Sequence, residues 1–290
     1  MFEGFKSKYV QVKKGKVFCK IKGDGPPLLL LHGYPQTHLM WHKTAPELSK
    51  SFTVVAADLR GYGNSLAPPS DNKHYNYSKK VMAKDQAGLM EQLGFDKYFL
   101  VGHDRGARVA HRMAIDYQDN IYKVVLIDIV PTNHVYDTAN MKLAQRYYHW
   151  FFLIQKSPFP ETLIGKDPEY YLRSKLSMWG LNEKHMSENV ISEYVRCFSQ
   201  PDAIHASCED YRAGASIDMD DHNKDRKKKI VCPLLILWGK KGTVEELYDP
   251  IKVWKKWAIN VQGFSLECGH FIPEEKPEET IKYLNKFIKN

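Results

Sequence analysis

The sequence predicts an α/β chain: a mostly parallel sheet flanked by helices, with one helical cap inserted into it. Three observations carry that reading. Short apolar runs of strand length, among them LLLLHG (28–33), YFLVGH (98–103), VVLIDIV (124–130) and PLLILWG (233–239), alternate with helical patterns, as they do where crossover helices join parallel strands. The alternation stops from about residue 133 to 219, where the chain is aromatic-rich and helical and shows no buried strand. The run at 98–103 passes directly into a helix through the turn Gly102-His103-Asp104-Arg105-Gly106.

In chain order, Tyr9–Val12 and Lys16–Ile21 read as an opening hairpin, and 28–33 as a buried strand ending in a Gly turn. A helix is expected from about His38 to Ser49, then a strand at 52–58, a loop rich in Gly and Pro, and a helix from about Tyr77 to Leu93. The strand at 98–103 leads to a helix from about Gly106 to Tyr117, and the strand at 124–130 is closed by Pro131. After the insertion come the strand at 233–239, a helix near Tyr248 to Ala258, a strand from Asn260 to Glu267 and a last helix, Pro277 to Lys289. The expected division is a core of residues 1–132 and 220–290, with residues 133–219 as the cap.

Composition excludes several classes. At 290 residues, 43% hydrophobic and 26% charged, the chain has material for one large core plus an insertion. No apolar run reaches the ~18 residues of a membrane span, and the N-terminal segment has no apolar stretch of the kind a secretory signal needs. Five cysteines, odd in number and without CxxC spacing, point to free thiols in a reducing compartment and to neither a disulfide framework nor a metal site. A cytoplasmic location is therefore expected. The net charge of +8 peaks at Lys224-Asp225-Arg226-Lys227-Lys228-Lys229. Without interleaved aromatics this run reads as a solvated loop and not as a nucleic-acid surface, although a modest basic field favours small anions.

The chemistry is in the turn at 102–106. A sharp strand-to-helix turn needs small residues on either side of its centre, because the backbone crowds there, and it lifts the central side chain above the sheet at a helix N-terminus. The better known turn of this type has Ser at its centre; here the residue is Asp104. A carboxylate is ionised at neutral pH, the helix N-terminus favours its charge, and it attacks saturated carbon to form an alkyl ester. Substrates with a carbon–halogen bond or an epoxide follow. The ester then needs a base to activate water, and His270, after the last strand, stands where that base belongs. An acid should orient His270. The segment WGKKG (238–242) has Gly242 where many hydrolases carry Asp, so Asp128, at the end of LIDIVP, is favoured, with Asp249 as the alternative. The backbone N–H groups of Tyr34, in His32-Gly33-Tyr34-Pro35, and of Arg105 are the expected oxyanion donors.

The segments HGYPQ (32–36), DLRGYGNS (58–65), GHDRGAR (102–108), IDIVPT (127–132), YHWFF (148–152), EDYRAG (209–214) and GHFIPEE (269–275) together resemble haloacetate dehalogenases of the α/β-hydrolase superfamily, specifically the fluoroacetate dehalogenases. The resemblance spans nearly the whole chain; HDRGAR with YHW and DYRAG is its discriminating set. It implies Asp104 as nucleophile, Asp128 as acid and His270 as base. It also implies Arg105 and Arg108 on the substrate carboxylate, and His149, Trp150 and Tyr211 around the departing halide. The family is often homodimeric, and the resemblance implies no cofactor. The side-chain chemistry agrees: two guanidiniums at i and i+3 of a helix start share a face and match a carboxylate, and all three cap residues can donate hydrogen bonds. The expected reaction is hydrolysis of 2-haloacetates such as fluoroacetate and chloroacetate to glycolate. The rivals are an epoxide hydrolase, which the twin arginines disfavour, and a non-catalytic small-ligand receptor on the same fold.

Overall fold

The computed structural model describes residues 1–180 and 185–289. Eight strands form one sheet: β1 (Lys6–Val12), β2 (Gly15–Lys22), β3 (Pro27–Leu31), β4 (Thr53–Ala57), β5 (Tyr98–His103), β6 (Ile121–Ile127), β7 (Leu234–Gly239) and β8 (Val261–Leu266). Their spatial order is β1-β2-β4-β3-β5-β6-β7-β8. The pairs β1/β2 and β2/β4 are antiparallel, and every pair from β4/β3 to β7/β8 is parallel. Central strands covered on both faces must be apolar throughout, and Leu28 to Leu31 of β3 and Leu234 to Leu237 of β7 are buried accordingly.

Register aligns the chemistry. Leu31 pairs with Gly102, Gly102 with Leu126, His103 with Ile127, and Ile127 with Leu237. The parallel strands β3, β5, β6 and β7 therefore finish at one edge of the sheet, and the segments leaving them carry Tyr34, Asp104, Asp128 and Gly242 to the same end. This is where open α/β sheets bind ligands.

Two expected helices take other forms. The stretch from His38 to Ser49 is a short 3-10 turn, His38–Trp41, followed by a one-turn helix, Ala45–Leu48, with Pro46 in its first turn. The expected helix near Tyr248 to Ala258 is shortened to Pro250–Trp254, preceded by a separate turn, Thr243–Leu247. Pro250 cannot continue a helix from before it, and Asp249 starts the new one by accepting the Lys252 N–H at 2.9 Å. The helix after β5 starts at Asp104 itself, two residues earlier than expected.

Between β6 and β7 every described element is helical, from Thr132–Asp137 to Ile217–Lys224. Three of these helices supply residues discussed below: Tyr148–Phe152, Pro168–Met178 and Pro201–Gly214. The basic run lies at the end of this insertion. Its lysines and Arg226 face solvent or are half-buried, while Asp225 turns inward to accept from Arg112 at 2.5 Å. All five cysteines are unpaired and buried.

Candidate active site

Crowding makes the turn at Asp104. A Cβ on Gly106 would lie 2.3 Å from the His32 carbonyl oxygen, and one on Gly102 would lie 2.5 Å from the Gly106 carbonyl oxygen, so only glycine fits at either place. Asp104 takes φ of +45°, a left-handed conformation that costs a non-glycine residue of order 1–3 kcal/mol. That conformation turns the carboxylate back toward the end of β3, where the Tyr34 N–H donates to Oδ2 at 3.0 Å. Of the two expected oxyanion amides, that of Tyr34 is bonded to this carboxylate, and that of Arg105 is not. Burial alone would raise the Asp104 pKa, but His270, His103, Arg108 and Arg105 outweigh it and hold the group below its ordinary value. Asp104 is thus a buried, ionised carboxylate with few partners of its own.

Asp128 also has a positive φ, +55°, at the end of β6. Its Oδ1 accepts the Gly239 N–H at 3.0 Å and its Oδ2 lies 2.5 Å from His270 Nδ1. The alternative acids are engaged elsewhere. Asp249 caps its own helix, Glu245 accepts from Trp238 Nε1, and Glu246 pairs with Lys142 and Arg146. Gly242 explains the unusual register: a Cβ there would sit 3.6 Å from Asp128 Oδ2, so the two strand ends address one spot and here β6 fills it. The His270 turn is fixed from both sides by Glu275, which accepts the N–H groups of Gly269 at 2.8 Å and Phe271 at 2.9 Å. The His270 carbonyl accepts from His103 Nε2 at 2.8 Å. Burial would lower the His270 pKa; the bond to Asp128 and the charges of Asp128 and Asp104 more than reverse this and raise it.

The two arginines differ. Arg105 is fully buried and donates to Asp210 through Nε to Oδ2 and through Nη2 to Oδ1, both at 2.8 Å, with a third bond from Nη2 to the Asp210 carbonyl. Asp210 also accepts from Tyr62 at 2.8 Å and from Lys79. Arg108 is equally enclosed but meets only neutral acceptors: Nη1 donates to the Val130 carbonyl and to Thr132 Oγ1, each at 3.0 Å, and Nε has no partner. Burial and the charge of Arg105 press its pKa down, yet a guanidinium stays protonated in proteins. Arg108 is therefore a buried cation with no bonded counter-charge among the described residues. Both arginines expected at the substrate carboxylate thus lie beside Asp104, and Arg105 is in addition bonded to Asp210. Asp210 went unassigned in the sequence; its place next to Tyr211 in EDYRAG was the available signal.

His149, Trp150 and Tyr211 converge above these residues. The Tyr211 ring is 5.5 Å from that of His149 and 5.9 Å from that of Trp150. The Arg105 guanidinium lies 4.1 Å over the Tyr211 ring, and that of Arg108 lies 4.6 Å over the Trp150 ring. Tyr211 Oη and His149 Nδ1 are buried without partners among the described residues. Burial and the neighbouring Lys175 hold the His149 pKa well below its usual value, so the ring is neutral; burial and Asp104 raise that of Tyr211, so its hydroxyl keeps its proton. The residues beneath them are an ionised carboxylate, a His paired with an Asp, and a cation bonded to neutral oxygens; these rings add neutral hydrogen-bond donors. A cavity of about 610 Å³ reaches Asp128 and His270 along the seam lined by Tyr147, Trp179, His185 and Gly242.

Comparison with known proteins agrees with this architecture. The profile of the alpha/beta hydrolase fold family matches residues 26–277. A fluoroacetate dehalogenase of Burkholderia sp is 41% identical over 289 residues, 99% of this chain and 95% of that one. A soluble epoxide hydrolase of Corynebacterium sp. (strain C12) is 35% identical over 292 residues, with the same coverage of 99% and 95%. A solved structure from Nostoc sp PCC 7120 superposes with a TM-score of 0.99 at 52% identity, covering 100% of both chains. The epoxide hydrolase CorEH, solved without ligand, gives a TM-score of 0.90 at 32% identity over 98% of this chain and 99% of its own. With its eight-stranded sheet and the strand-to-helix turn at its C-terminal edge, the chain belongs to the α/β-hydrolase-fold family and is a hydrolase.

Proposed function

We propose that this hydrolase cleaves the carbon–halogen bond of 2-haloacetates, fluoroacetate and chloroacetate, giving glycolate and halide. The observation that carries the reading is Arg108: a buried guanidinium one helical turn from Asp104, without a carboxylate of its own. A buried charge left unpaired is costly, and a small anionic substrate supplies the missing partner while bringing its C2 next to Asp104. The fluoroacetate dehalogenase that is similar over the whole chain supports the same substrate class.

In this mechanism the substrate carboxylate binds Arg108, with Arg105 adding charge and its remaining donors. An Asp104 oxygen attacks C2 from the side opposite the halogen; the C–O bond forms as the C–X bond breaks, and the electron pair leaves with the halide. His149, Trp150 and Tyr211 replace the water that a leaving halide, fluoride above all, would otherwise need. His270, oriented by Asp128, takes a proton from water, which attacks the ester carbonyl of Asp104. The oxyanion is received by the Tyr34 N–H, joined by that of Arg105 once the ester has formed. Collapse frees glycolate and restores the carboxylate. One halide and one proton leave per turnover, with no metal or cofactor involved.

The test is halide release, measured with an ion-selective electrode, from purified protein given fluoroacetate and chloroacetate. Release from either with stoichiometric glycolate supports the reading; release from neither removes it.

A further inference from the structure

Lys175 is a second cation that the mechanism does not use. It lies on the helix Pro168–Met178, is 0% exposed, and its Nζ has no hydrogen-bond partner among the described residues. Aromatic rings surround it: its Nζ is 3.4 Å from the centre of the Tyr148 ring, 5.4 Å from that of Trp179 and 5.8 Å from that of Tyr171. Ring faces compensate a desolvated ammonium only in part. Burial pushes its pKa down to about 7, and no acidic group among the described residues offsets the loss.

Its position relates it to the site. Trp179, four residues further on, has its ring 4.7 Å from that of His149 and 5.4 Å from that of His270. After burial, the charge of Lys175 is the strongest influence on His149. Tyr211 Oη, His149 Nδ1, Trp179 Nε1 and Lys175 Nζ thus belong to a chain of neighbouring side chains, each atom buried and without a partner among the described residues. Folded proteins leave few such atoms, and a cluster of them signals a missing group. Trp N–H and an ammonium can only donate, and the Tyr hydroxyl is free to do so, so the missing group is an acceptor. No carboxylate among the described residues supplies it, and a compact, spherical anion is the acceptor that asks least of the packing around Lys175.

We propose that Lys175 and Trp179 form a second halide station behind His149, which receives the halide expelled at Asp104 before it leaves the protein. The inference rests on the haloacetate reading for the source of the halide. An arriving anion favours the charged form of Lys175 that burial disfavours. The titratable groups facing it are Tyr148 and Tyr171, with His149 beyond Trp179.

Bromide is the probe. Crystals of the whole protein soaked in bromide, read by anomalous scattering, should show one ion among His149, Trp150 and Tyr211 and another in contact with Lys175 Nζ. Lys175→Met should lose only the second ion and raise the constant for bromide inhibition of chloroacetate turnover about ten-fold, the loss of one charge-assisted hydrogen bond. Lys175→Arg, which restores a cation, should restore much of it. A bromide confined to the first position, or two ions and an unchanged inhibition constant in Lys175→Met, overturns the station while dehalogenation stands. If Lys175→Met does not fold, Lys175→Arg with both ions still decides for the station, and with only the first decides against it. Absence of halide release from any haloacetate removes instead the reading on which the station rests.

Discussion

Asp210 clasps Arg105 with two parallel N–H···O bonds of 2.8 Å, whereas Arg108, the other guanidinium beside Asp104, has no carboxylate bonded to it among the described residues. Residues that look alike in the sequence thus differ in their partners, and on the function proposed above it is Arg108 that receives the incoming anion, with Arg105 assisting.

The division predicts different failures. Arg108→Gln is expected to fold and to lose ~10–100-fold in kcat/KM for chloroacetate, the worth of one hydrogen-bonded charge pair. Asp210→Asn leaves Arg105 and Lys79 facing each other without their shared carboxylate, and should cost about 3–5 kcal/mol of stability. Steady-state kinetics and urea unfolding on the same two variants separate the cases; equal unfolding midpoints would contradict the assignment.

Asp128 raises the His270 pKa above 6.5 in the resting protein. The base works when neutral, so hydrolysis of the ester should slow as pH falls through that raised value. Alkylation removes the charge of Asp104 and with it part of the shift, but the bond to Asp128 remains. Rapid-quench measurement of ester decay against pH should show a single acid limb, and Asp128→Asn should move it to lower pH. His270→Asn should instead accumulate a carboxymethyl adduct on Asp104, visible by intact mass.

Gly242 offers a transplant. Its backbone has φ of −94°, which any residue adopts, and a Cβ there would be 3.6 Å from the present carboxylate. Asp128→Asn alone should lower kcat by up to ~10⁴-fold, as loss of the orienting acid does in other triads. Adding Gly242→Asp should return part of that rate. A double variant no faster than the single one would show that the second strand end cannot reach His270.

Glu274 carries a pH signature of its own. It is fully buried, accepts from Gln36 Nε2 at 2.5 Å and from Tyr194 Oη at 3.1 Å, and burial lifts its pKa from 4.5 to about 8. The folded state therefore holds this proton more tightly than the unfolded chain does. The stabilisation is complete below pH 4.5, declines as pH rises and is lost above about 8. Glu274→Gln should flatten this part of the profile of Tm against pH between 5 and 8.

The sheet was legible in the sequence because its strands are short apolar runs bounded by turn residues, and Asp104 because G-x-D-x-G forces one kind of turn. Asp128 was legible by elimination at Gly242. Local patterns said less where long-range contacts decide. The stretch from His38 to Ser49 has helical spacing, yet it divides into a 3-10 turn, whose His38 N–H is held by Asp58 of a distant segment at 2.7 Å, and a separate one-turn helix. Asp210 and Arg105 lie 105 residues apart, and nothing in either segment announces their pairing. Lys175 reads as one more surface lysine of an amphipathic helix until Tyr148, Tyr171 and Trp179 close over it.

The cavity of about 610 Å³ touches Asp128 and His270 but has neither Asp104 nor Arg108 in its wall. On the function proposed above, this cavity is the route by which water reaches His270, and it does not pass Arg108, the cation proposed to hold the substrate. The two halves of the reaction then draw on different doors of one chamber.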